Sequence, residues 1–493
     1  MIIIQVRGTI LTCGALCVLL CVAVMPCTAV NAPGTGGVNL TGLDQVILSE
    51  MNKTHTEGVV VVVVQNGTTL YARGFGTDKN NTPVTPDTIL AIGSTTKMFT
   101  GYVVASLVED GALDPDRSVR TYIPELDPSF DRVTTGMLIS HSSGLRDWDV
   151  WGLPDKLTEA ERRYPAEYMK TFNASWMFTD PGTVMSYSNP GVNIAGFAAA
   201  RAANRSYREL VRDRIILPVG MQNTSIEDDG CDAIQPCGWI VSTGNDMAAF
   251  AVALMDSSSG NTSPTLSRQA IRRMTSHTVP VPSLEGDGRY GYGTELYKIG
   301  NVTLVGHRGD PTTGTCSFWT VPEKQFAVII ISNKPSNPFP DTFEWIIEHG
   351  LSEPYVPPAL LPVNPAQVAQ VAGTYTGYAG YPDKIFTRNG TLSISLTYPN
   401  WTVGIPGNGT ISVYMQLNST PDGHYMATFP HHSSGNYIGF VNATDGRARF
   451  LHMGMRAWER ETPPRGGLLT GGTGVADTFS SIRCLLVREP RGG

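Results

Sequence analysis

Two residues with complementary chemistry lie three positions apart near residue 95. Ser94 and Lys97 occur in IGSTTKMFTG, at the start of a segment whose apolar spacing predicts an amphipathic helix. A serine at a helix N-terminus meets free backbone N–H groups, and a lysine three positions later shares its face. A lysine removed from water has a lowered pKa and can accept the serine proton. The spacing fits a nucleophile with its own base, but alone it equally fits a capping serine beside a solvated lysine.

Two further segments carry side chains that can assist a serine nucleophile. Tyr187 and Asn189 occur in PGTVMSYSNPG, and His307 and Gly309 occur in LVGHRGDPTTG. A tyrosine can pass a proton, and an asparagine can hold a lysine or a substrate amide by hydrogen bonds. Each triplet has a second occurrence in the C-terminal part, at 398–400 and 452–454. Chain order and surroundings favour the first set.

The elements that must position these residues predict a discontinuous sheet. A helix is expected over residues 43–52, and GVVVVVVQNGTTLYARGFG predicts two strands joined at the Asn66-Gly67 turn. Short helical segments and turns fill residues 112–250, and short β-rich segments follow from about residue 290. Strands at both ends with helices between them predict an α+β domain whose sheet is completed by the two ends.

Composition shifts divide the chain into five segments. An apolar run ending in small residues predicts a secretory signal peptide over 1–32, with a retained signal anchor as the alternative. The first folded domain is expected over 43–351, followed by a proline-rich linker at 352–365. Alternating apolar and polar residues over 366–460 predict a small antiparallel β barrel or sandwich. Residues 461–493 lack a pattern and are expected to be disordered.

Sequons agree with a secreted location. Asn-x-Ser/Thr sites recur along the whole chain, for example at Asn39, Asn66, Asn173, Asn301 and Asn408. Such density indicates a glycosylated extracellular protein. If the signal is cleaved, no stable membrane insertion is expected.

Charge and cysteine usage exclude several function classes. The net charge is -7 and the basic residues form no run, so nucleic acid is not an expected partner. No Cys/His cluster suggests a metal. Cys231 and Cys237 are spaced to close a small disulfide loop in an oxidising compartment, and Cys316 lies in a predicted buried strand.

The chain from about residue 43 to 350 resembles the serine β-lactamase and penicillin-binding-protein-like hydrolases. The resemblance rests on segments in the family's order: IGSTTKMFTG, LDPDRSVRTYIPEL, MLISHSSGL, PGTVMSYSNPG, GWIVSTGNDMAAF, YGYGTEL and GHRGDPTTG. It implies an antiparallel sheet with a helical subdomain, and it identifies residues 43–351 as a serine hydrolase domain. The region containing VAGTYTGY is similar to the lipocalin-like β domain often appended to such hydrolases.

The resemblance also implies roles at matching positions. Ser94 would be the acylated nucleophile, Lys97 its activating partner and Tyr187 the residue that shuttles the proton. Asn189 would hydrogen-bond Lys97 or the substrate amide. The Lys97 or the Tyr187 side chain could be the base, and the sequence does not choose between them. No metal or organic cofactor is needed.

The third segment departs from the pattern of many lactamases and carboxypeptidases. His307 and Gly309 stand where those enzymes often have Lys-Thr-Gly, and both are expected to line the substrate-binding site. The oxyanion hole would use the backbone N–H of Ser94 and one near Asp310. A histidine is mostly neutral at pH 7, whereas a lysine would bind a substrate carboxylate, and Arg308 could restore the charge. The substitution favours esters, small amides or peptides over β-lactams.

Other residues of these segments have mainly structural interpretations. His141 is expected to support the site from a turn beneath it. Asp147 and Trp148 are candidates for lining the cleft, and Tyr290 and Tyr292 for shaping substrate access or packing in the core.

Three functions fit this pattern. The favoured one is a secreted serine hydrolase with a small ester, amide or peptide substrate. The others are a peptidase or acyltransferase acting on a specific partner, and an inactive secreted binding protein of the same fold. The intact Ser94, Lys97, Tyr187 and Asn189 favour the hydrolase. The oligomeric state leaves no signature in the sequence.

Overall fold

The structure, a computed structural model, describes residues 38–147, 157–256, 265–282, 288–354, 356, 359–377, 382–388, 391–399, 410–421, 423–428, 435–442 and 446–461. The predicted signal peptide, Trp148 and the predicted tail beyond Glu461 lie outside these residues. Among the described helices, none combines the length and apolarity needed to cross a bilayer.

The helices lie mostly between the two ends of the first domain. They are α1 Leu43–Thr54, α2 Thr96–Glu109, α3 Thr135–Ile139, α4 Glu159–Arg163, α5 Pro165–Met169, α6 Asn189–Ala203, α7 Tyr207–Val211, α8 Leu217–Val219, α9 Gln235–Gly238, α10 Gly244–Asp256, α11 Arg268–Ser276, α12 Pro340–Leu351 and α13 Pro365–Val371.

The strands form two larger sheets and one small one. They are β1 Gly58–Gln65, β2 Thr68–Gly76, β3 Leu90–Ala91, β4 Ser225–Ile226, β5 Ile240–Ser242, β6 Val279–Pro280, β7 Arg289–Tyr290, β8 Glu295–Ile299, β9 Val302–Gly309, β10 Thr315–Val321, β11 Phe326–Ser332, β12 Gly373–Gly377, β13 Pro382–Arg388, β14 Thr391–Pro399, β15 Thr410–Ser419, β16 Tyr425–Thr428, β17 Gly435–Asn442, β18 Ala448–Met453 and β19 Arg456–Arg460.

The main sheet joins the two ends of the first domain, as the sequence predicts. Its order is β2-β1-β11-β10-β9-β8-β7-β6, and every pair is antiparallel. The N-terminal hairpin pairs with the last strand, with Val59 opposite Ser332. Every residue of β11 is buried, and successive side chains point to opposite faces, so this strand is covered on both faces. The predicted α+β fold with an antiparallel sheet is confirmed.

Helix α2 differs from its predicted form in two ways. It begins at Thr96, after a 3₁₀ turn over Gly93–Thr95, so Ser94 precedes the helix and does not cap it. Residues 96–107 are all buried, so the helix is covered on all sides and has no solvent-facing polar face over this stretch. Two glycines permit this close packing: a side-chain carbon on Gly101 would lie 2.0 Å from the Tyr292 carbonyl oxygen, and one on Gly293 would lie 2.0 Å from that of Lys97.

The C-terminal region is a closed barrel of eight antiparallel strands. Strands β12 to β19 each pair with the next, and β19 closes on β12 through Thr376 opposite Glu459. Of the predicted alternatives, the barrel is confirmed. Apolar side chains including Tyr375, Ile394 and Leu451 fill a core of its own. The described residues from Asn39 to Glu461 form one compact unit, so the barrel packs against the first domain.

The predicted disulfide between Cys231 and Cys237 is wrong. Both residues are buried free thiols, as is Cys316 in β10. The Cys237 thiol donates to the Ile234 carbonyl, 3.4 Å away within its own turn. Burial raises the pKa of this thiol to about 11, so it stays protonated.

Candidate active site

The Ser94 hydroxyl lies between the Lys97 amine and the Tyr187 phenol. Lys97 Nζ is 3.0 Å from Ser94 Oγ, and Tyr187 Oη donates to the same oxygen at 2.9 Å. The helical turn supplies the first contact, since residues three positions apart lie on one face. The second contact spans 93 positions and depends on the loop before α6. The structure therefore brings together the three residues predicted to be catalytic.

Lys97 has no exposed surface, and two acceptors fix its amine. Nζ donates to Asn189 Oδ1 at 2.8 Å and to the Cys237 carbonyl oxygen at 2.6 Å. Burial lowers the pKa of Lys97 to about 8, against the attraction of the Asp147 carboxylate. A neutral amine has two protons. Asn189 Oδ1 and the Cys237 carbonyl oxygen can only accept hydrogen bonds, so each of them takes one of these protons. Its lone pair then faces the Ser94 hydroxyl.

Asn189 is oriented by a buried carboxylate. Its backbone N–H donates to Asp147 Oδ1 at 2.9 Å, and its Nδ2 donates to the same oxygen at 3.2 Å. The amide oxygen is thereby turned toward Lys97. Asp147 also accepts a hydrogen bond from Arg456 Nη2 at 2.8 Å. Asp147 thus supports Asn189 from behind, whereas the sequence predicted it at the cleft wall.

The loop that carries Tyr187 is held on both sides by backbone hydrogen bonds. The Tyr187 N–H donates to the Met455 carbonyl at 2.8 Å, and the Ser186 N–H donates to the His141 carbonyl at 2.8 Å. Burial raises the pKa of Tyr187 well above its usual value, so the phenol keeps its proton. Tyr187 is consequently placed as a proton donor to Ser94.

His307 lies behind the site and is neutral. Its Nδ1 contacts the Arg308 carbonyl, which can only accept, so this nitrogen carries the proton. Its Nε2 then accepts from Tyr290 Oη at 2.9 Å. Burial, with the positive charge of Lys97, lowers the pKa of His307 to about 3. Both ring nitrogens thus have partners within the protein, and the contact of His307 with substrate stays a prediction.

Gly309 allows the end of β9 to cross the Ser94 turn. A side-chain carbon there would lie 1.9 Å from the Ile92 carbonyl oxygen and 3.1 Å from the Ser94 nitrogen. A carbon on Gly93, which has a φ of 50°, would lie 3.2 Å from the Asp310 nitrogen. The backbone amides of Ser94 and Asp310 therefore meet at this crossing, where the sequence predicts the oxyanion hole. The Asp310 carboxylate accepts from the Ser336 N–H.

His141, Tyr290 and Tyr292 have structural positions. His141 Nδ1 accepts from the Ser188 N–H at 3.1 Å, and its ring is tilted 37° against that of Tyr187, with the ring centroids 4.3 Å apart. Burial lowers the pKa of His141 well below its usual value, so the ring is neutral. Tyr290 and Tyr292 are buried at the main sheet. The His141 and Tyr290 side chains pack against the site, whereas the Tyr292 ring packs near His277.

Sequence reasoning missed two groups that contact the site. One is the Cys237 carbonyl, which leaves no side-chain signature. The other is the hairpin turn between β18 and β19, from which Met455 and Arg456 reach the Tyr187 loop. The only sequence signal near it was the second His-x-Gly triplet at 452–454, and that triplet was set aside by chain order.

Several known proteins are similar in sequence to this chain. The family described as Beta-lactamase matches residues 43–350. Protein flp of Staphylococcus aureus is 24% identical over 191 residues, which is 38% of each chain. A beta-lactamase of Providencia stuartii is 29% identical over 187 residues, covering 37% of this chain and 46% of its own length. The chain thus matches less than half the length of these curated relatives.

The barrel is included in a structural likeness. The crystal structure of SurE with D-Leu has a TM-score of 0.64 and 20% identity, and the match covers 85% of this chain and 99% of that one. At that identity the likeness concerns the fold alone. The family match covers more than half of the chain and contains the Ser94, Lys97, Tyr187 and His307 segments. The chain therefore belongs to the Beta-lactamase family, whose members are serine hydrolases.

Proposed function

We propose that this protein is a secreted serine hydrolase that acts on esters, small amides or peptides through an acyl-enzyme. The observation that carries the proposal is the placement of Ser94 Oγ between Lys97 Nζ and Tyr187 Oη, at 3.0 and 2.9 Å. A nucleophile, a base of lowered pKa and a proton donor within hydrogen-bond reach are the parts that acyl transfer requires.

In the first half-reaction, neutral Lys97 takes the Ser94 proton while Oγ attacks the substrate carbonyl carbon. The carbonyl π electrons move to oxygen, and the backbone N–H groups of Ser94 and Asp310 stabilise the resulting oxyanion. The tetrahedral intermediate collapses, the bond to the leaving group breaks, and Tyr187 delivers a proton to that group. Tyr187 regains its proton from the Lys97 ammonium. Of the two candidate bases, the raised pKa of Tyr187 favours Lys97.

In the second half-reaction, water takes the place that the leaving group has vacated. The Lys97 amine, neutral again, accepts a proton from this water as the water oxygen attacks the ester carbonyl of acylated Ser94. Ser94 then departs with a proton, and the product acid is released. A peptidase or transferase acting on a partner would share these steps, because only the acceptor differs.

The neutral state of His307 supports a preference for uncharged substrates. With its pKa lowered to about 3 and both nitrogens bonded within the protein, this ring offers no positive charge to a substrate carboxylate. The Arg308 side chain is half-exposed and lies 4.0 Å from the Glu295 carboxylate, which offsets its charge. Neutral esters and amides therefore suit the site better than β-lactams, which carry a carboxylate.

The positions of the sequons support a secretory route. The asparagines of all the sequons from residue 39 to 223, and Asn301, are exposed where glycans would meet solvent. Asn66 occupies the tight turn between β1 and β2 with a φ of 50°.

The first prediction concerns the nucleophile. Wild-type protein exposed to a fluorophosphonate gains one adduct by intact mass, and Ser94→Ala gains none. Ser94→Ala also lowers ester hydrolysis at least about a thousandfold. Ser106→Ala is the matched control, because Ser106 lies in α2, the helix that follows Ser94, and donates to the Val103 carbonyl. Full labelling of Ser94→Ala, or none of folded wild type, contradicts the proposal, and the latter favours an inactive binding protein.

The second prediction concerns the base. Because Lys97 acts when neutral, the acylation rate constant rises about tenfold per pH unit and levels near pH 8, where its pKa lies. Pre-steady-state ester kinetics between pH 6 and 10 measure this. Lys97→Arg stays charged throughout and loses about 10²- to 10⁴-fold in rate. A wild-type rate that is constant across this pH range would show that Lys97 is not the base.

The third prediction concerns the substrate. The kcat/KM for p-nitrophenyl acetate exceeds that for the β-lactam nitrocefin by at least about tenfold, the loss expected from one unmade charge contact. Arg308→Gln changes this ratio less than about threefold, since Glu295 already offsets the arginine charge. Faster hydrolysis of nitrocefin, or its selective loss in Arg308→Gln, would assign carboxylate recognition to this strand.

The fourth prediction concerns the location. Expressed in a eukaryotic host, the protein is recovered from the medium, and peptide N-glycosidase lowers its mass. Asn301→Gln reduces the glycan mass, whereas Asn245→Gln, an exposed asparagine outside any sequon, does not. Retention inside the cell with no change of mass would contradict secretion.

A further inference from the structure

The hairpin of the barrel formed by β18 and β19 enters the candidate active site. Building on the proposed function, we propose that Arg456 is a positioning residue of that site. It holds Asp147 and Tyr187 in place and tunes proton transfer among Ser94, Lys97 and Tyr187. The barrel is then a working part of the hydrolase and not only an appended domain.

Arg456 makes its contacts in a buried position. Its side chain is 8% exposed, and Nη2 donates to Asp147 Oδ2 at 2.8 Å, where Asp147 has no exposed side-chain surface. The guanidinium carbon lies 5.5 Å from the centre of the Tyr187 ring. Lys97 Nζ lies 4.9 Å from the same centre. One tyrosine ring is therefore in cation–π range of two positive groups, one from each domain.

The hairpin also binds the Tyr187 loop through its backbone and a buried histidine. The Met455 carbonyl accepts the Tyr187 N–H at 2.8 Å, and the Ala457 N–H donates to Ser186 Oγ at 3.2 Å. His452 Nε2 lies 3.0 Å from the Met185 carbonyl. Three consecutive loop residues thus have partners on the barrel.

The turn itself is strained where it meets the loop. Gly454 and Met455 both have positive φ, 54° and 64°, as in a two-residue type I′ turn. Glycine or asparagine is favoured at such positions, and methionine is rare there. Met455 packs against a cluster containing Met185 and Tyr290 and presents its carbonyl to Tyr187. A strained backbone of this kind persists only where the surrounding contacts hold it in place, and such segments are often found at functional sites.

Fold stability alone does not account for the ion pair. Replacing a buried pair with apolar side chains is often neutral or stabilising, because two charges must lose their water. A charge pair beside a titrating lysine has a different effect. Arg456 lowers the pKa of Lys97 and of Tyr187, and Asp147 raises both.

The other ionisable groups near the pair are held constant in the test. Among the residues that the structure describes, those that face Lys97 or Tyr187, besides Asp147 and Arg456, are Cys237, Glu295, His141, His307 and Tyr290. Burial keeps the thiol and the phenol protonated and both histidines neutral, and it raises the pKa of Glu295. The Asp147–Arg456 pair therefore supplies the charge that substitution changes.

The test compares pH profiles of fluorophosphonate inactivation for full-length variants. The rising limb is the part of the profile where the inactivation rate increases with pH as Lys97 loses its proton. Arg456→Gln removes the positive charge and leaves that of Asp147, which favours protonated Lys97, so this limb moves to higher pH by about one unit. Asp147→Asn leaves Arg456 and moves the limb to lower pH. Arg456→Lys keeps the limb near its wild-type position. Arg449→Gln, on the neighbouring strand with an exposed ion pair to Glu459, leaves the profile unchanged.

The double variant Asp147→Asn/Arg456→Gln removes both charges and guards against misfolding from one unpaired buried charge. Its limb returns to near the wild-type pH. If Arg456→Gln and Asp147→Asn only lower thermal stability, with limbs at the wild-type position, Arg456 is a docking residue and the proposal fails. Shifts of both in the same direction overturn it equally. Absence of labelling in wild type would instead refute the hydrolase itself, so the two failures are distinguishable.

Discussion

The candidate site depends on a lysine amine held without water by two oxygens that can only accept. An exposed lysine would be almost fully protonated at neutral pH, and its lone pair would be unavailable to a serine. Burial of Lys97 lowers its pKa, while the Cys237 carbonyl and Asn189 Oδ1 determine which way the nitrogen points. The surrounding structure keeps water away from this amine and holds it in one orientation.

Each supporting element meets one part of that requirement. The close approach of α2 to the Tyr292-Gly293 turn excludes water from one side, and glycine makes the approach sterically possible. Asp147 turns the amide of Asn189 and offsets part of the cost of burying a cation. His141 and His307 make hydrogen bonds beside the site without adding charge, because burial keeps both rings neutral. A cation in their place would disfavour the protonated amine further.

The sequence predicted the parts of the site that are encoded locally. Ser94 and Lys97 are one helical turn apart, and Tyr187 lies two positions before Asn189, the first residue of a helix whose start is marked by Pro190. The sheet also followed from local patterns, since the two strands around the Asn66-Gly67 turn and the β-rich segments after residue 290 were both predicted. The sequence did not give the exact start of α2. Ser94 lies in a 3₁₀ turn before the helix, at the point where β9 crosses the chain.

What escaped prediction depends on contacts between distant positions. The pair of Arg456 and Asp147 spans 309 positions, and the Cys237 carbonyl reaches Lys97 across 140. Neither leaves a periodic pattern or a motif in one sequence. The spacing of Cys231 and Cys237 suggested a disulfide, but spacing does not report where a thiol points, and that of Cys237 turns to its own backbone. The orientation of the His307 ring also depends on a contact outside its own motif, the hydrogen bond between its Nε2 and Tyr290 Oη.

The pairing of β1 with β11 has a consequence for how the protein matures. A chain is made from its N-terminus, so the six valines of β1 emerge long before the strand that covers one of their edges. Until then, they present an apolar, unpaired edge of the type that associates with other chains. The hairpin that supports Tyr187 is made later still. Synthesis therefore passes through a long interval in which the nucleophile exists but its surroundings do not, and the folding chain depends on protection from aggregation during that interval.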